Sequence, residues 1–531
     1  MGYEISFLSP GTLGGVGLIA LLVFVALRRS TPVGRVPGPP APSWIYGNML
    51  QFVFPSIYGE HEFEWQKKYG PTYRIKGLFG EDRLIISDPV ALKHIINNRN
   101  FIRAPSQRQM GKLIFGEQSV YCAEGEDHRR LRAALSPGFS ASVVRSFLPI
   151  FSDVAQRIVQ EWGNTCSTHS PVLVNVCDML DHGTLDIISE AALGSPLNTV
   201  ANPKHPLAQS DLNVLSAGLS RSKIDIFADV LLPYIPTFIL RNAIRLPTHA
   251  FRALREFRAV TDRMGSTLMK EKAAAHEMGL NQDNDMLSIL MKGLFSQRKT
   301  KMSPDELAEQ IRIVLLGGQD TSADALAWCL HELAKDADYQ RRLRAEIETS
   351  RSSSEGPQMD YDSMPLLNAF LKEILRIYPA GPYLERVAGE DLVIPLANEI
   401  TTTSGERISH LPVPKGQFIA VAIASYQRLE DLWGCDADQF KPSRWLDGDP
   451  CKGQALGPYA HLLTFTGGYR VCAGWRFAVL EMQVILAELV ANFSFAPSKD
   501  DAVRPLYAGI LVPITKDGVK GLPLFIERIK Q

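Results

Sequence analysis

The chain has 531 residues, 45% of them hydrophobic, and a formal net charge of -1. That length can bury a large core, and the composition excludes a disordered or collagen-like chain. The near-neutral charge offers no electrostatic footprint for nucleic acid, and none is expected as a partner. Seven scattered cysteines, with no CxxC pair or Cys/His cluster, provide neither a disulfide framework nor a zinc site.

From the N-terminus, Ile5 to Leu27 carries no charge and is mostly apolar. A helix of about 20 such residues spans a bilayer. Arg28, Arg29 and Arg35 follow the run, whereas only Glu4 precedes it, which places the body on the cytosolic side. A cleaved signal peptide would need a basic segment before the run and an A-x-A site after it, and both are missing. Residues 1–29 are therefore expected to be a single-pass membrane anchor. The tract Val36-Pro37-Gly38-Pro39-Pro40-Ala41-Pro42 cannot be helical. It is expected to be a stiff linker over residues 30–50, with one catalytic domain over 51–531.

Within that domain, short extended runs at Thr72–Ile75 and Leu84–Ile86 predict a small sheet. Apolar periodicity from 126 to about 350 is helical. One helix is expected over 250–275. Another runs from Ser303 to Asp336, with Ser303 as N-cap and Pro304 in the first turn. A third covers 362–378 and is ended by Pro379. Residues 392–425 read as extended and loop-rich, and 473–492 as a helix. The fold class is mainly α with a minor β-sheet region.

The sharpest signal is Phe465-Thr466-Gly467-Gly468-Tyr469-Arg470-Val471-Cys472-Ala473-Gly474, running into that last helix. A cysteine just before a helix meets unpaired backbone N–H groups and the positive end of the dipole, both of which favour thiolate. The glycines permit turns and close approach of a flat partner. Arg470 has the reach to meet an anionic group on such a partner. Taken alone, the same features also fit a structural turn around a buried cysteine.

The ten-residue string resembles the cysteine-ligand loop of the cytochrome P450 family, F-x-x-G-x-R-x-C-x-G, at every specified position. Other signatures of the family occur in order upstream. Leu315-Leu316-Gly317-Gly318-Gln319-Asp320-Thr321-Ser322 resembles the oxygen-binding segment, with Asp320 and Thr321 as the proton-handling catalytic pair. The paired glycines, each costing about 1 kcal/mol in a helix, suggest a local opening there. Glu373 and Arg376 share a helix face at i, i+3. With Arg444 of Phe440-Lys441-Pro442-Ser443-Arg444-Trp445, they match the family's structural lock.

The resemblance implies a cytochrome P450 fold preceded by one transmembrane helix. It implies haem b (iron protoporphyrin IX) with Cys472 as axial ligand to the iron, and Phe465, Gly468, Arg470, His128, Arg132 and Arg386 as further cofactor contacts. His128 stands where the family often has Trp in W-x-x-x-R, which leaves Arg132 the better match of the two. O2 and a lipophilic small molecule (terpenoid, steroid or polyketide-like) are the implied substrates. Because no G-x-G-x-x-G fingerprint for a flavin or nicotinamide occurs, electrons are expected from a separate protein; the resemblance implies an NADPH-dependent cytochrome P450 reductase on the same membrane, the endoplasmic reticulum, with the catalytic domain on the cytosolic side. The wording around Cys472 is most similar to fungal members, many of which act in secondary metabolism. Two other readings are a haem-thiolate isomerase or dehydratase, against which the retained Asp320–Thr321 pair speaks, and a non-catalytic haem- or lipid-binding membrane protein.

Overall fold

The computed structural model describes residues 32–168, 171–232, 235–278, 285–295, 302–353, 359–448, 450–498 and 502–529. The expected anchor, residues 1–29, lies outside them. Among the described residues, no helix is long and apolar enough to cross a membrane.

The principal elements begin with α1 (Glu60–Tyr69), β1 (Thr72–Lys76), β2 (Asp82–Ile86), α2 (Pro89–Asn97) and β3 (Phe101–Arg103). Then follow α3 (Gly125–Leu135), α4 (Leu148–Thr168), β4 (Val172–Asn175), α5 (Val176–Leu193), α6 (Pro206–Leu219), α7 (His249–Glu277), α8 (Pro304–Lys335) and α9 (Pro365–Ile377). The C-terminal part contains β5 (Tyr383–Ala388), β6 (Leu392–Thr401), β7 (Arg407–Val413), β8 (Phe418–Ala422), α10 (Trp475–Asn492), β9 (Phe493–Pro497), β10 (Arg504–Tyr507), β11 (Leu511–Ile514) and β12 (Pro523–Arg528). Helix dominates and sheet is minor, as the periodicity predicts. The chain divides into two compact units. One takes the chain up to Ile102 with Glu385–Val421, and the other takes Arg103–Leu384 with the chain from Ala422 onward.

In the first unit, the sheet runs in the order β1-β2-β8-β5-β3, with β1 and β2 antiparallel and β2 and β8 parallel. β6 and β7 form a long antiparallel hairpin with an irregularity between Pro395 and Ile400. The expected spacer takes part in this packing. Val33 and Val36 are fully buried. Arg74 donates its backbone N–H to the Pro37 carbonyl and its Nε–H to the Val36 carbonyl, both at 3.0 Å. A Cβ on Gly38 would fall 1.7 Å from the Arg74 carbonyl oxygen, so only glycine fits against β1. The tract is non-helical, as its prolines dictate, but it is docked on a strand rather than standing free.

The second unit is built on α8. Ser303 caps it reciprocally: its Oγ accepts from Glu306 N–H at 3.1 Å and Glu306 Oε2 accepts from Ser303 N–H at 2.8 Å, the capping-box arrangement. The helix is continuous through Gly317-Gly318, in contrast to the expected local opening. The two glycines do different things. A Cβ on Gly318 would lie 2.5 Å from Ile188 Cγ1 on α5, whereas one on Gly317 would meet nothing within 4 Å. Gly318 therefore permits the close crossing of α8 and α5, and Gly317 leaves the other side of the helix open. A three-stranded antiparallel sheet, β4-β12-β9, joins residues 172–175 to the C-terminal strands.

Candidate functional site

The lock comes first, because the cysteine loop hangs from it. Glu373 and Arg376 are both 0% exposed on α9. Arg376 Nε and Nη2 donate to the two Glu373 oxygens at 2.8 Å each, a bidentate pair. Arg444 Nε and the backbone N–H of Lys441 donate to Glu373 Oε1 at 3.0 and 2.7 Å, and Trp445 Nε1 donates to Oε2 at 2.9 Å. Burial raises the Glu373 pKa, but the hydrogen bonds and charge of Arg376, with the charge of Arg444, outweigh it and hold the carboxyl below its ordinary range. Arg376 also donates to the carbonyls of Gln427, Ala437 and Gln439. The three predicted residues form one buried network.

Gln427, which carries no motif, relays this network toward the cysteine. Its Nε2 donates to the carbonyls of Leu375 and Arg376, and its Oε1 accepts from Leu463 N–H at 2.9 Å and Thr464 Oγ1 at 3.0 Å. The next residue, Phe465, accepts the Cys472 N–H on its carbonyl at 2.9 Å. Thr466 (φ 56°) and Gly468 (φ 63°) turn the loop in the left-handed region. That conformation is costly for a β-branched residue, and Thr466 is held in it by its hydroxyl donating to the Arg470 carbonyl at 2.8 Å. The loop is thus fixed from both ends.

Cys472 is deeply surrounded by protein, yet its side chain is accessible. Burial pushes the thiol up, against the Gly474 N–H and the Arg132 charge, which lower it. The expected effect of the helix start is present but does not win, so the protein alone does not hold Cys472 ionised. A coordinated metal ion would deprotonate it.

The anionic-group contacts separate into two kinds. Arg132 and Arg470 are both within electrostatic reach of each other, and Arg132 also feels Cys472. Burial lowers the Arg132 pKa, the Cys472 charge partly offsets this, and Arg470 lowers it further. No carboxylate pairs with Arg132 among the described residues. Arg470, in contrast, is committed: it donates to the Val120 and Ala123 carbonyls at 3.2 and 2.6 Å and pairs with Glu124 at 2.5 Å. Arg470, which the family resemblance assigns to an anionic group of the cofactor, also buttresses the loop against residues 120–124. His128 is buried one turn before Arg132 on α3, its ring edge-on to Tyr469 with centroids 6.0 Å apart. Arg386 belongs to the first unit, buried on β5, where its Nη1 donates to the Glu385 carbonyl at 3.1 Å.

These residues fit a haem. The accessible sulfur, the amide aimed at it and a guanidinium without a carboxylate match an iron ligand beside an anionic edge. On α8, Asp320 is 9% exposed, and Thr321 Oγ1 donates to the Gly317 carbonyl at 3.1 Å. A hydroxyl that donates backward keeps its lone pairs free to accept. Glu481 of α10 is fully buried, and burial raises its pKa well above the ordinary carboxyl range, with Ser322 of α8 a weaker opposing influence.

Comparison with known proteins agrees with this geometry. A model of the cytochrome P450 family matches residues 37–520. The chain is 30% identical to cytochrome P450 monooxygenase 91 of Postia placenta, covering 97% of this chain and 98% of that protein. It is 29% identical to cytochrome P450 monooxygenase claQ of Ampulloclitocybe clavipes over 88% of each. To cytochrome P450 monooxygenase 205 of Postia placenta it is 30% identical, over 91% of this chain and 90% of that one.

Proposed function

Because the chain belongs to the cytochrome P450 family, and is thereby a haem monooxygenase, we propose that it oxidises a lipophilic small molecule of terpenoid, steroid or polyketide type. Electrons come from a separate NADPH-dependent reductase, and the setting is secondary metabolism. The observation that carries the reading is the loop from Phe465 to Gly474, which presents an accessible cysteine sulfur in a fixed frame.

Cys472 would hold the iron, Phe465 and Gly468 would pack near the ring, and Arg132 with His128 would face its propionates. Bound through a thiolate, haem supplies O–O cleavage and oxygen insertion rather than oxygen carriage. The chain's own work is to deliver protons and exclude water. Asp320 gives its carboxyl proton toward the open side of α8, and Thr321, donating to Gly317, accepts on its free lone pairs and holds the proton path there. The apolar character of the substrate is supported by Ile313, Val314 and Leu316, half-buried on α8 beside Gly317. Residues 380–384 and 507–511 meet through Leu511 N–H donating to the Ala380 carbonyl, with the Tyr383 and Tyr507 rings 4.9 Å apart. An apolar substrate suits such a lining.

Thr321→Val keeps the shape and removes the hydroxyl. The haem spectrum and substrate-induced Soret shift should be nearly unchanged, while product per NADPH falls several-fold and hydrogen peroxide rises. Wild-type coupling in Thr321→Val would reject the role.

We also assign residues 1–29 as an anchor at the endoplasmic reticulum, with the catalytic domain cytosolic. Exposed Ile224, Leu231, Phe238, Ile239 and Leu246 add apolar surface of the kind that contacts lipid. Because Val33 and Val36 are buried, deletion of residues 1–31 should preserve haem binding and move the protein largely to the soluble fraction. Unchanged membrane fractionation would reject the anchor.

A further inference from the structure

Behind Asp320, α8 buries a second carboxylate. Asp324 stands one turn on, on the same helix face, and is 1% exposed. Lys520 enters from the tight turn between β11 and β12, where Gly518 (φ 76°) reverses the chain and Thr515 N–H donates to the Val519 carbonyl at 3.0 Å. Its Nζ lies 2.8 Å from Asp181 Oδ1 on α5 and 2.9 Å from Asp324 Oδ1, and all three side chains are nearly inaccessible.

Asp181 and Asp324 therefore share one ammonium, and Asp320 lies within its electrostatic reach. With every carboxyl ionised the cluster would carry two surplus negative charges in the interior, an expensive state. His182 and Cys177 do not relieve it: burial lowers the His182 pKa and raises that of Cys177, which keeps both neutral. Neither Asp324 oxygen has a well-directed hydrogen bond among the described residues, so the ammonium contact is electrostatic and one oxygen is free to carry a proton. Asp178, exposed and three residues before Asp181 on α5, lies within electrostatic reach of Lys520 and is the cluster's nearest group at the surface along that helix.

We propose that the Asp181–Lys520–Asp324 cluster is a buried proton store that reloads Asp320 after each turnover. This rests on Asp320 being the proton donor described above. Asp324 Oδ–H passes its proton to the Asp320 carboxylate. Lys520 then hands one proton to Asp324 and regains one from solvent on the side of Asp178, while Asp181 stays ionised and holds the ammonium in place. One proton enters for each that leaves, and no electrons move. Burial and the charges of Asp181 and Asp320 raise the Asp324 pKa far above the ordinary carboxyl range against the pull of Lys520. Lys520 is held protonated by the charges of Asp181 and Asp320, despite its burial.

The test uses ferric holoenzyme and three variants: Asp324→Asn, Lys520→Gln and the double replacement. Infrared difference spectra over a pH series should show a protonated-carboxyl band in wild type that disappears in Asp324→Asn and persists in Asp338→Asn, an exposed control. With reductase, NADPH and O2 but no organic substrate, Asp324→Asn should slow oxygen consumption by about tenfold or more and increase the solvent isotope effect. The double replacement should regain thermal stability without regaining that rate. A band that survives in Asp324→Asn overturns the proposal, as does a wild-type rate in that variant, or a rate restored together with stability in the double replacement. A wild-type protein lacking the red-shifted carbon monoxide band would instead refute the haem-thiolate reading, and the carboxyl band does not depend on it.

Discussion

Replacing Glu373 with alanine should yield protein that is largely insoluble and takes up almost no haem. The substitution leaves Arg376, at 0% exposure, without its carboxylate, leaves Arg444 with Asp436 alone, and also removes the acceptor of Lys441 N–H and Trp445 Nε1. Leaving a buried charge without its partner costs about 3–5 kcal/mol, a large share of the roughly 5–15 kcal/mol that holds a domain folded. The loss would propagate: Arg376 fixes the Gln427 carbonyl, Gln427 fixes Leu463 and Thr464, and Phe465 fixes Cys472. Haem absorbance per protein in the soluble fraction measures the effect. Arg444→Ala should be milder, because Glu373 keeps its bidentate pair with Arg376. Glu373→Ala with wild-type haem occupancy would show that the network does not support the loop.

The same network has a pH signature. The folded Glu373 pKa is depressed, so its stabilisation is complete above the unfolded carboxyl value of about 4.3. It is lost only as pH falls through the lower folded value. The lock should therefore outlast mild acid.

The parts of the fold legible in the sequence are those written locally. Ser303 and Pro304 mark the start of α8, Pro379 stops the chain beyond α9, and the apolar spacing between them is helical. The β4-β12-β9 sheet is not legible, because Val172–Val174 finds its partners at Leu524–Ile526, hundreds of residues away, and four-residue strands carry little period. Docking of Val36–Gly38 on β1 is equally a tertiary fact; in sequence, a Pro/Gly tract reads the same whether docked or free.

In the site, Cys472, Glu373, Arg376, Arg444, Asp320 and Thr321 stand out in the sequence because each falls in a string that resembles a family motif. Gln427 and Lys520 do not. A glutamine in an amphipathic stretch and a lysine in an Asp-Gly turn both resemble surface residues, and only the fold buries them. Arg470 shows the converse limit: its motif position is legible, but its partner Glu124 is one acidic residue among many. The helix-start argument for Cys472 was sound in sign but weaker than burial, whose size depends on everything packed around the loop.

Cys472→Ala carries the other all-or-none expectation. No other described cysteine has its setting: Cys435 is exposed on a different loop, and Cys451 is buried outside the Phe465–Gly474 frame. Alanine preserves the Cys472 backbone N–H bond to Phe465 and the small volume, so the fold should survive while the iron loses its sulfur ligand. The measurement is the absorption spectrum of reduced protein under carbon monoxide, taken on wild type, Cys472→Ala, Cys435→Ala and Cys451→Ala at equal protein concentration. The account predicts the strongly red-shifted Soret band of thiolate ligation in wild type and in both control variants, and its complete loss in Cys472→Ala. An unchanged red-shifted band in Cys472→Ala would contradict it.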